Sequence, residues 1–337
     1  MEDVEEYIAG NRDLRQALGL AADAALEVVP LGKGEHNENF MLTSENGARS
    51  VLRVNRLPQP FHDNQVAYEF AALKALEPSC CVPRALYLDD SARAPGKGVL
   101  VESFCPGEEL NFDRLKEGDL AQVARIMANV HSVPVADNCP LFRPCDSLQQ
   151  LFQECVDRFK AYQGTALEDP RFTAWIRRFF AATQRALDEA PAYEGAGHII
   201  NTETLPSHFL LSAEPGQLGA FVDWERPIVG EVAQDLAFFV APSTTFWDSD
   251  YLFPRENIQA FVEDYWRAVD GRFGRGNFDA RFNAWLAVSV LRSQTWFCKN
   301  AARYANGGVG HTVQRTFEKW DIYTSDEFNE MLLRECF

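Results

Sequence analysis

Over the first twenty residues charged and apolar positions alternate at helical spacing, and the period then shortens to two in LEVVPLGKGEHNENFMLTSENGARSVLRVNR. Phe40 and Leu42 on one predicted strand, and Val51 and Val54 on another, flank the turn signal Glu45-Asn46-Gly47. The stretch therefore reads as antiparallel strands with a glycine-containing loop at residues 32–34. Val66, Phe70, Leu73 and Leu76 next repeat near the helical period from about Asn64, and Pro78 ends that helix. Two further strands, RALYLDD and KGVLVESF, close the small sheet before the chain turns at Cys105-Pro106-Gly107. Beyond that turn, helices are expected near residues 114–132, 147–163, 170–190, 231–240, 255–270 and 277–304. Two candidate strands, HFLLS and GAFVD, interrupt this helical run within residues 197–223, and loops beside short strands on a rigid scaffold are common places for function.

Composition narrows the picture. At 337 residues and 46% hydrophobic the chain is too long for one typical core, so two lobes are expected, residues 1–104 and 105–337. No uninterrupted apolar run reaches the length of a membrane span, and the opening MEDVEEYIAGNRDLRQ is acidic where a signal peptide would be basic and then apolar. The eight cysteines lack zinc-ligand spacing and read as reduced thiols of a cytoplasmic protein. A net charge of −17 repels phosphate backbones and anionic lipid, so neither nucleic acid nor membrane is an expected partner, while a cationic small molecule would be attracted.

Three segments carry candidate chemistry. Gly32-Lys33-Gly34-Glu35-His36-Asn37 lies between two strands, where its N–H groups could approach phosphate oxygens; two glycines in a hairpin also make an ordinary turn. Arg53 is flanked by apolar neighbours, and a buried arginine needs a partner, for which Glu69 in the following helix is the natural choice; on an edge strand it would simply face solvent. Farther on, Asn201-Thr202-Glu203 and His208 precede Phe221-Val222-Asp223-Trp224-Glu225. A carboxylate in a loop, a polar group five residues on, and a strand delivering a second acid form a candidate metal and base constellation. Phosphoryl transfer from a nucleotide needs these parts together: a phosphate cover, an anchoring cation, a metal and a carboxylate to orient the attacking hydroxyl.

These segments resemble the aminoglycoside phosphotransferase and choline kinase family, the small-molecule branch of the protein-kinase-like fold. The family loop H-x-D-x-x-x-x-N is matched by Asn201, Glu203 and His208, three departures, and I-D-W-E by Val222-Asp223-Trp224-Glu225, with Asp223 kept. Val99 to Gly107 resembles the hinge whose backbone meets adenine, Ala128 to Pro134 the L-H-S-V-P helix end, and Gln234-Asp235-Leu236-Ala237 the D-L-A helix start. The likeness covers approximately residues 25–250, and the loop is similar to a subgroup with N-T-E here and T-T-T-F-W downstream, echoed at Ser243 to Trp247.

The resemblance implies an α+β bilobal fold with a small N-terminal antiparallel sheet lobe carrying one main helix, and a larger, mostly helical C-terminal lobe. It implies ATP and Mg2+ as cofactors. Gly32, Gly34, Asn37, Arg53, Glu69, Glu102 and Phe104 would surround the nucleotide; Glu203 would be the base or orienting carboxylate; Asp223 and His208 would hold the metal. The implied activity is phosphorylation of a hydroxyl on a small amine, aminoglycoside-like compound, sugar or amino-acid alcohol. The altered loop leaves open a catalytically impaired nucleotide- or ligand-binding protein. Glu203 in place of aspartate sets the base back by roughly 1 Å. His208 is a poor match for a hard ion, and could instead touch phosphate or pack beneath Phe209. An acceptor site is expected around Glu225, Phe246, Trp247, Asp248 and Asp250, since aromatics beside carboxylates suit a cation or polyol. The stripe Trp285, Leu291 and Trp296 reads as core, His131 as structural, and Asp235 as a helix-start charge or a support for the catalytic loop.

Overall fold

The computed structural model describes residues 2–21, 24–33, 36–57, 63–308 and 310–337, apart from the side chains of Glu2, Lys33, Asp248 and His311. The helical start of the chain divides into α1 (Glu2–Gly10) and α2 (Arg12–Ala17). Asn11 makes the break, its side-chain oxygen accepting from the Leu14 N–H at 2.9 Å as the cap of α2. Strands β1 (Leu26–Lys33), β2 (Asn37–Ser44) and β3 (Arg49–Asn55) follow, then α3 (Gln65–Leu76), capped by Asn64, then β4 (Ala85–Asp89) and β5 (Val99–Ser103). They form one five-stranded sheet in the order β1-β2-β3-β5-β4, antiparallel at every pairing.

The pleat sorts this sheet into two faces. Leu52, Val54, Val99 and Val101, with Phe40 and Leu42, bury against Val4, Ile8 and Leu14 of α1 and α2. The intervening residues point the other way. Arg53 pairs across the ladder with Asn39 and Leu100, and Asn55 with Asn37, so these positions share one face with Glu102. That face looks toward α3 and the rest of the chain.

The larger lobe begins with β6 (Glu108–Glu109), α4 (Asp119–His131), α5 (Ser147–Tyr162) and α6 (Pro170–Glu189). Four short strands come next: β7 (His198–Ile200), β8 (Phe209–Leu211), β9 (Ala220–Phe221) and β10 (Ile228–Gly230). The β8–β9 turn closes tightly at Gly219, where a Cβ would lie 1.7 Å from the Leu210 carbonyl oxygen. After α7 (Val232–Val240), α8 (Pro242–Asp248) and α9 (Arg255–Val269) comes the 28-residue α10 (Phe278–Ala305). Trp285, Val288, Leu291 and Cys298 of α10 are fully buried, and α5, α6 and α7 pack around it. Glu231, the residue before α7, receives both Arg281 of α10 and the Trp285 indole N–H, the latter at 3.0 Å, so the start of α7 is fixed to α10. The chain ends in α11 (His311–Glu318), α12 (Trp320–Tyr323) and α13 (Asp326–Cys336), short helices whose apolar periodicity is too brief to stand out in the sequence. Among the described residues no helix is long and apolar enough to cross a membrane.

Leu291→Ala should cost about 2–5 kcal/mol of stability by urea unfolding, because a fully buried contact on the central helix becomes a cavity. Asn283→Ala on the exposed side of the same helix should change stability by less than about 0.5 kcal/mol.

Candidate active site

Arg53 is the centre of one cluster. Its guanidinium lies 3.2 Å from Glu69, 3.1 Å from Asp223 and 3.2 Å from Glu225, so β3, α3 and the segment after β9 converge on one cation. Gln65 fixes the arrangement: its amide nitrogen donates to Glu69 at 2.8 Å and to the Glu225 carbonyl oxygen at 2.6 Å. Asn37 donates to Glu225 at 2.5 Å and accepts from Asn55 at 2.9 Å. The expected partnership of Arg53 with Glu69 is present, and the edge-strand alternative does not apply. Burial pushes the Glu69 carboxyl up, and the Arg53 charge offsets only part of that shift. Burial likewise pushes the Glu102 carboxyl up, to about 7, with Arg53 pulling against it.

The loop after β7 forms the second part. Thr202 has φ of 74°, a left-handed conformation that a β-branched residue rarely adopts, and the loop is held there from several sides. Asp235, fully buried in α7, accepts from the N–H groups of Asn201 and Thr202, both at 2.8 Å, and its backbone carbonyl accepts from the Thr204 hydroxyl at 2.8 Å. His131 stands behind Asp235 at 3.3 Å and meets the Tyr265 hydroxyl at 2.9 Å. Of the two readings of Asp235, loop support is the one these bonds describe, and His131 is structural.

Asn201 joins the two candidate acids. Its amide oxygen accepts from the Glu203 N–H at 3.1 Å and its amide nitrogen donates to the Asp223 carbonyl oxygen at 2.8 Å. Asp223 is itself left-handed, φ 63°, and keeps 36% of its side-chain surface exposed. Burial raises its carboxyl, but Arg53 and then His208 outweigh burial and hold it below the usual carboxylate range. His208 places Nε2 3.5 Å from the second Asp223 oxygen, while its Nδ1 is buried without a partner. Glu203 is 38% exposed and receives Arg292 at 2.6 Å and Arg226 at 3.4 Å on one oxygen. These two cations, with His208, overcome burial and hold its carboxyl below the usual range, against repulsion from Asp223.

Glu203 also lines a cavity of about 520 Å³ bounded by α5, α7, α8, α10, α11 and α12. Trp247 and Trp296 are part of its wall. Trp296 therefore departs from the expected core stripe, while Trp285 and Leu291 are fully buried. Glu225 lies with Arg53 and Asn37 instead of in this cavity. Phe104 lies under the Arg49 guanidinium at 3.9 Å, at the edge of a separate groove. Gly32 is the last-but-one residue of β1, opposite Asn39; Gly34 and the Asp248 side chain lie outside the described residues. The sequence reading missed Asn39 and Asn55, although alternation in Asn37-Glu38-Asn39 and Arg53-Val54-Asn55 marks them as a polar sheet face. It also missed Arg292, a charge inside the apolar run WLAVSVLRSQTW, which a buried helix tolerates only with a partner.

Residues 27–280 match the sequence profile of a family described as the phosphotransferase enzyme family. No curated protein matches the chain by sequence. Among solved structures, a provisionally named aminoglycoside phosphotransferase of Ralstonia eutropha JMP134 is similar at 15% identity and TM-score 0.68, covering 99% of each chain. The ethanolamine kinase of Plasmodium vivax is similar at 12% identity and TM-score 0.61, covering 91% of this chain and 84% of its own. The GDP complex of aminoglycoside 2'-phosphotransferase-IIIa is similar at 12% identity and TM-score 0.65, over 97% of this chain and all of its own. The shared fold is the bilobal protein-kinase-like one.

A group whose folded pKa is raised loses its contribution to stability as pH climbs from the unfolded to the folded value. The upward shift of Glu102 to about 7 therefore predicts that wild-type stability falls relative to Glu102→Gln between about pH 4.5 and 7, by at most roughly 3 kcal/mol. Denaturant melts of both proteins across that range check it; parallel profiles would contradict it.

Proposed function

The chain belongs to the phosphotransferase enzyme family matched over residues 27–280, and on that premise we propose that it transfers the terminal phosphoryl group of ATP to the hydroxyl of a small molecule. One observation carries the reading: Glu203 belongs both to the cavity wall and to the charged cluster that contains Asp223 and His208. A hydroxyl in the cavity and a phosphate over Asp223 would then meet at one carboxylate. The GDP bound to a neighbour of the same fold supports a nucleotide at the cluster. In this reading residues 1–104 form the nucleotide lobe and 105–337 the acceptor lobe.

Asp223 fits a magnesium ligand. Magnesium takes one or two carboxylates and keeps waters and phosphate oxygens for the rest, and Asp223 is partly exposed with one oxygen outside the Arg53 pair. Among the described residues no group of three His, Cys, Asp or Glu side chains is placed to hold a metal ion, so a divalent ion would arrive with phosphate ligands of its own. Asp223, with His208 beside it, would hold that ion, whose chemistry is to neutralise the phosphate oxygens.

The chain's own residues supply the rest. Arg53, kept cationic by its surrounding carboxylates, would grip the phosphates, and Glu69 with Gln65 would aim it. Glu203 would accept a hydrogen bond from the acceptor hydroxyl and align its oxygen for in-line attack. As the new O–P bond forms and the bond to the β-phosphate breaks, the hydroxyl proton passes to Glu203 and ADP leaves. The lowered pKa of Glu203 makes it a positioning base more than a strong one, consistent with a loose transition state.

Asp223→Asn should weaken magnesium-dependent ATP binding by about 10- to 100-fold or more, measured calorimetrically. Glu203→Gln should leave that binding within a few-fold and lower phosphoryl transfer by roughly 10²–10⁴ in single-turnover ADP release. Equal loss of binding in both variants would reverse the assignment. His208→Asn should tighten magnesium if the imidazole faces the ion, and unchanged affinity would place it elsewhere.

A further inference from the structure

The surface of the chain is strongly acidic, yet the cavity beside Glu203 reverses that sign. Its described charged side chains are Arg158, Arg292 and Arg315 against Glu203 alone. Arg292 is committed, donating to Glu203 at 2.6 Å and to the Thr202 carbonyl oxygen at 2.8 Å. Arg315 reaches the Trp247 carbonyl oxygen at 3.4 Å and lies over the Trp247 ring.

Arg158 of α5 differs from both. Its side chain is 11% exposed, and its polar contacts to Glu154 at 3.5 Å and to the Arg292 carbonyl oxygen at 3.4 Å are long. Its guanidinium rests over the Trp296 ring at 5.7 Å. Burial, followed by the like charge of Arg292, holds its pKa below the usual arginine value against the pull of Cys155 and Glu154. A crowded, mostly buried cation costs stability unless something supplies negative charge. The remaining wall is aromatic, with Phe238, Trp247 and Trp296 offering flat apolar surface.

We propose that the acceptor is an anionic alcohol with an apolar body: its oxyanion group, a carboxylate or a phosphate-type group, is held by Arg158, its body lies along Trp296 and Phe238, and its hydroxyl faces Glu203. This rests on the phosphotransferase reading for the role of Glu203, while the charge preference of the cavity stands on its own geometry. An ammonium group in this cavity would sit among three guanidinium groups. The transfer balances as for any alcohol: the hydroxyl oxygen bonds to the terminal phosphorus, the bond to ADP breaks, and the proton leaves through Glu203.

Four probes sharing a benzyl alcohol test the charge preference: 4-(hydroxymethyl)benzoate, 4-(hydroxymethyl)phenylphosphonate, 4-(hydroxymethyl)benzylamine and neutral 1,4-benzenedimethanol. Calorimetric titration of the full chain should show one of the two anions binding roughly 10- to 100-fold tighter than the amine. Which anion leads separates carboxylate from phosphate-type recognition. In Arg158→Gln the advantage of the anion over the diol should disappear, and in Arg158→Lys most of it should return, with unchanged thermal melts showing that both variants fold. Preference for the amine, or no discrimination among the four, overturns the proposal. ATP titration and ADP release, measured separately, report on the phosphotransferase reading: anion preference without any ATP binding would sink that reading and leave the charge preference standing.

Discussion

Arg53 sits on the polar face of a five-stranded sheet with three carboxylates within 3.2 Å of its guanidinium. Removing the guanidinium would leave three carboxylates facing one another with no cation between them, so the arrangement depends on Arg53. Two of those carboxylates, Asp223 and Glu225, come from the helical lobe and one, Glu69, from the helix packed on the sheet. The same ion pairs therefore set where the lobes meet and what charge the cleft presents. In the proposed phosphotransferase reading, a triphosphate entering there would exchange one set of oxygens for another around a cation already in place.

The loop that carries Glu203 depends on a different set of bonds. Asp235 accepts two backbone N–H groups of the loop while His131 and Tyr265 support it from behind, and the left-handed Thr202 persists because its hydroxyl and carbonyl are both occupied. Asn201, which stands where the family resemblance would have histidine, spans from Glu203 to Asp223 with the two ends of one amide. At this position the amide is a structural tie between the two acids.

Much of this was legible from periodicity. The apolar alternation of β2 and β3 predicts the sheet, and the helical spacing from about Asn64 predicts α3, which Asn64 caps in the structure. The pairing of Arg53 with Glu69 follows from the cost of burying an arginine alone. Other features were hidden because they depend on contacts distant in sequence. Nothing local distinguishes Trp296, in the cavity wall, from Trp285, in the core, since both lie at helical spacing on α10. Arg158 likewise reads as an ordinary surface residue of an amphipathic helix until α10 is placed against it. Net charge, a sum over the whole sequence, carries no information about a cavity whose lining has the opposite sign.

The cavity walls come from α5, α7, α8, α10, α11 and α12, together with the Glu203 loop, and none from the sheet. Substitutions that reshape those walls leave the ladder around Arg53 untouched. Reshaping the cavity and reshaping the Arg53 cluster are thus separable events, joined at the Glu203 loop, which Asn201 ties to Asp223.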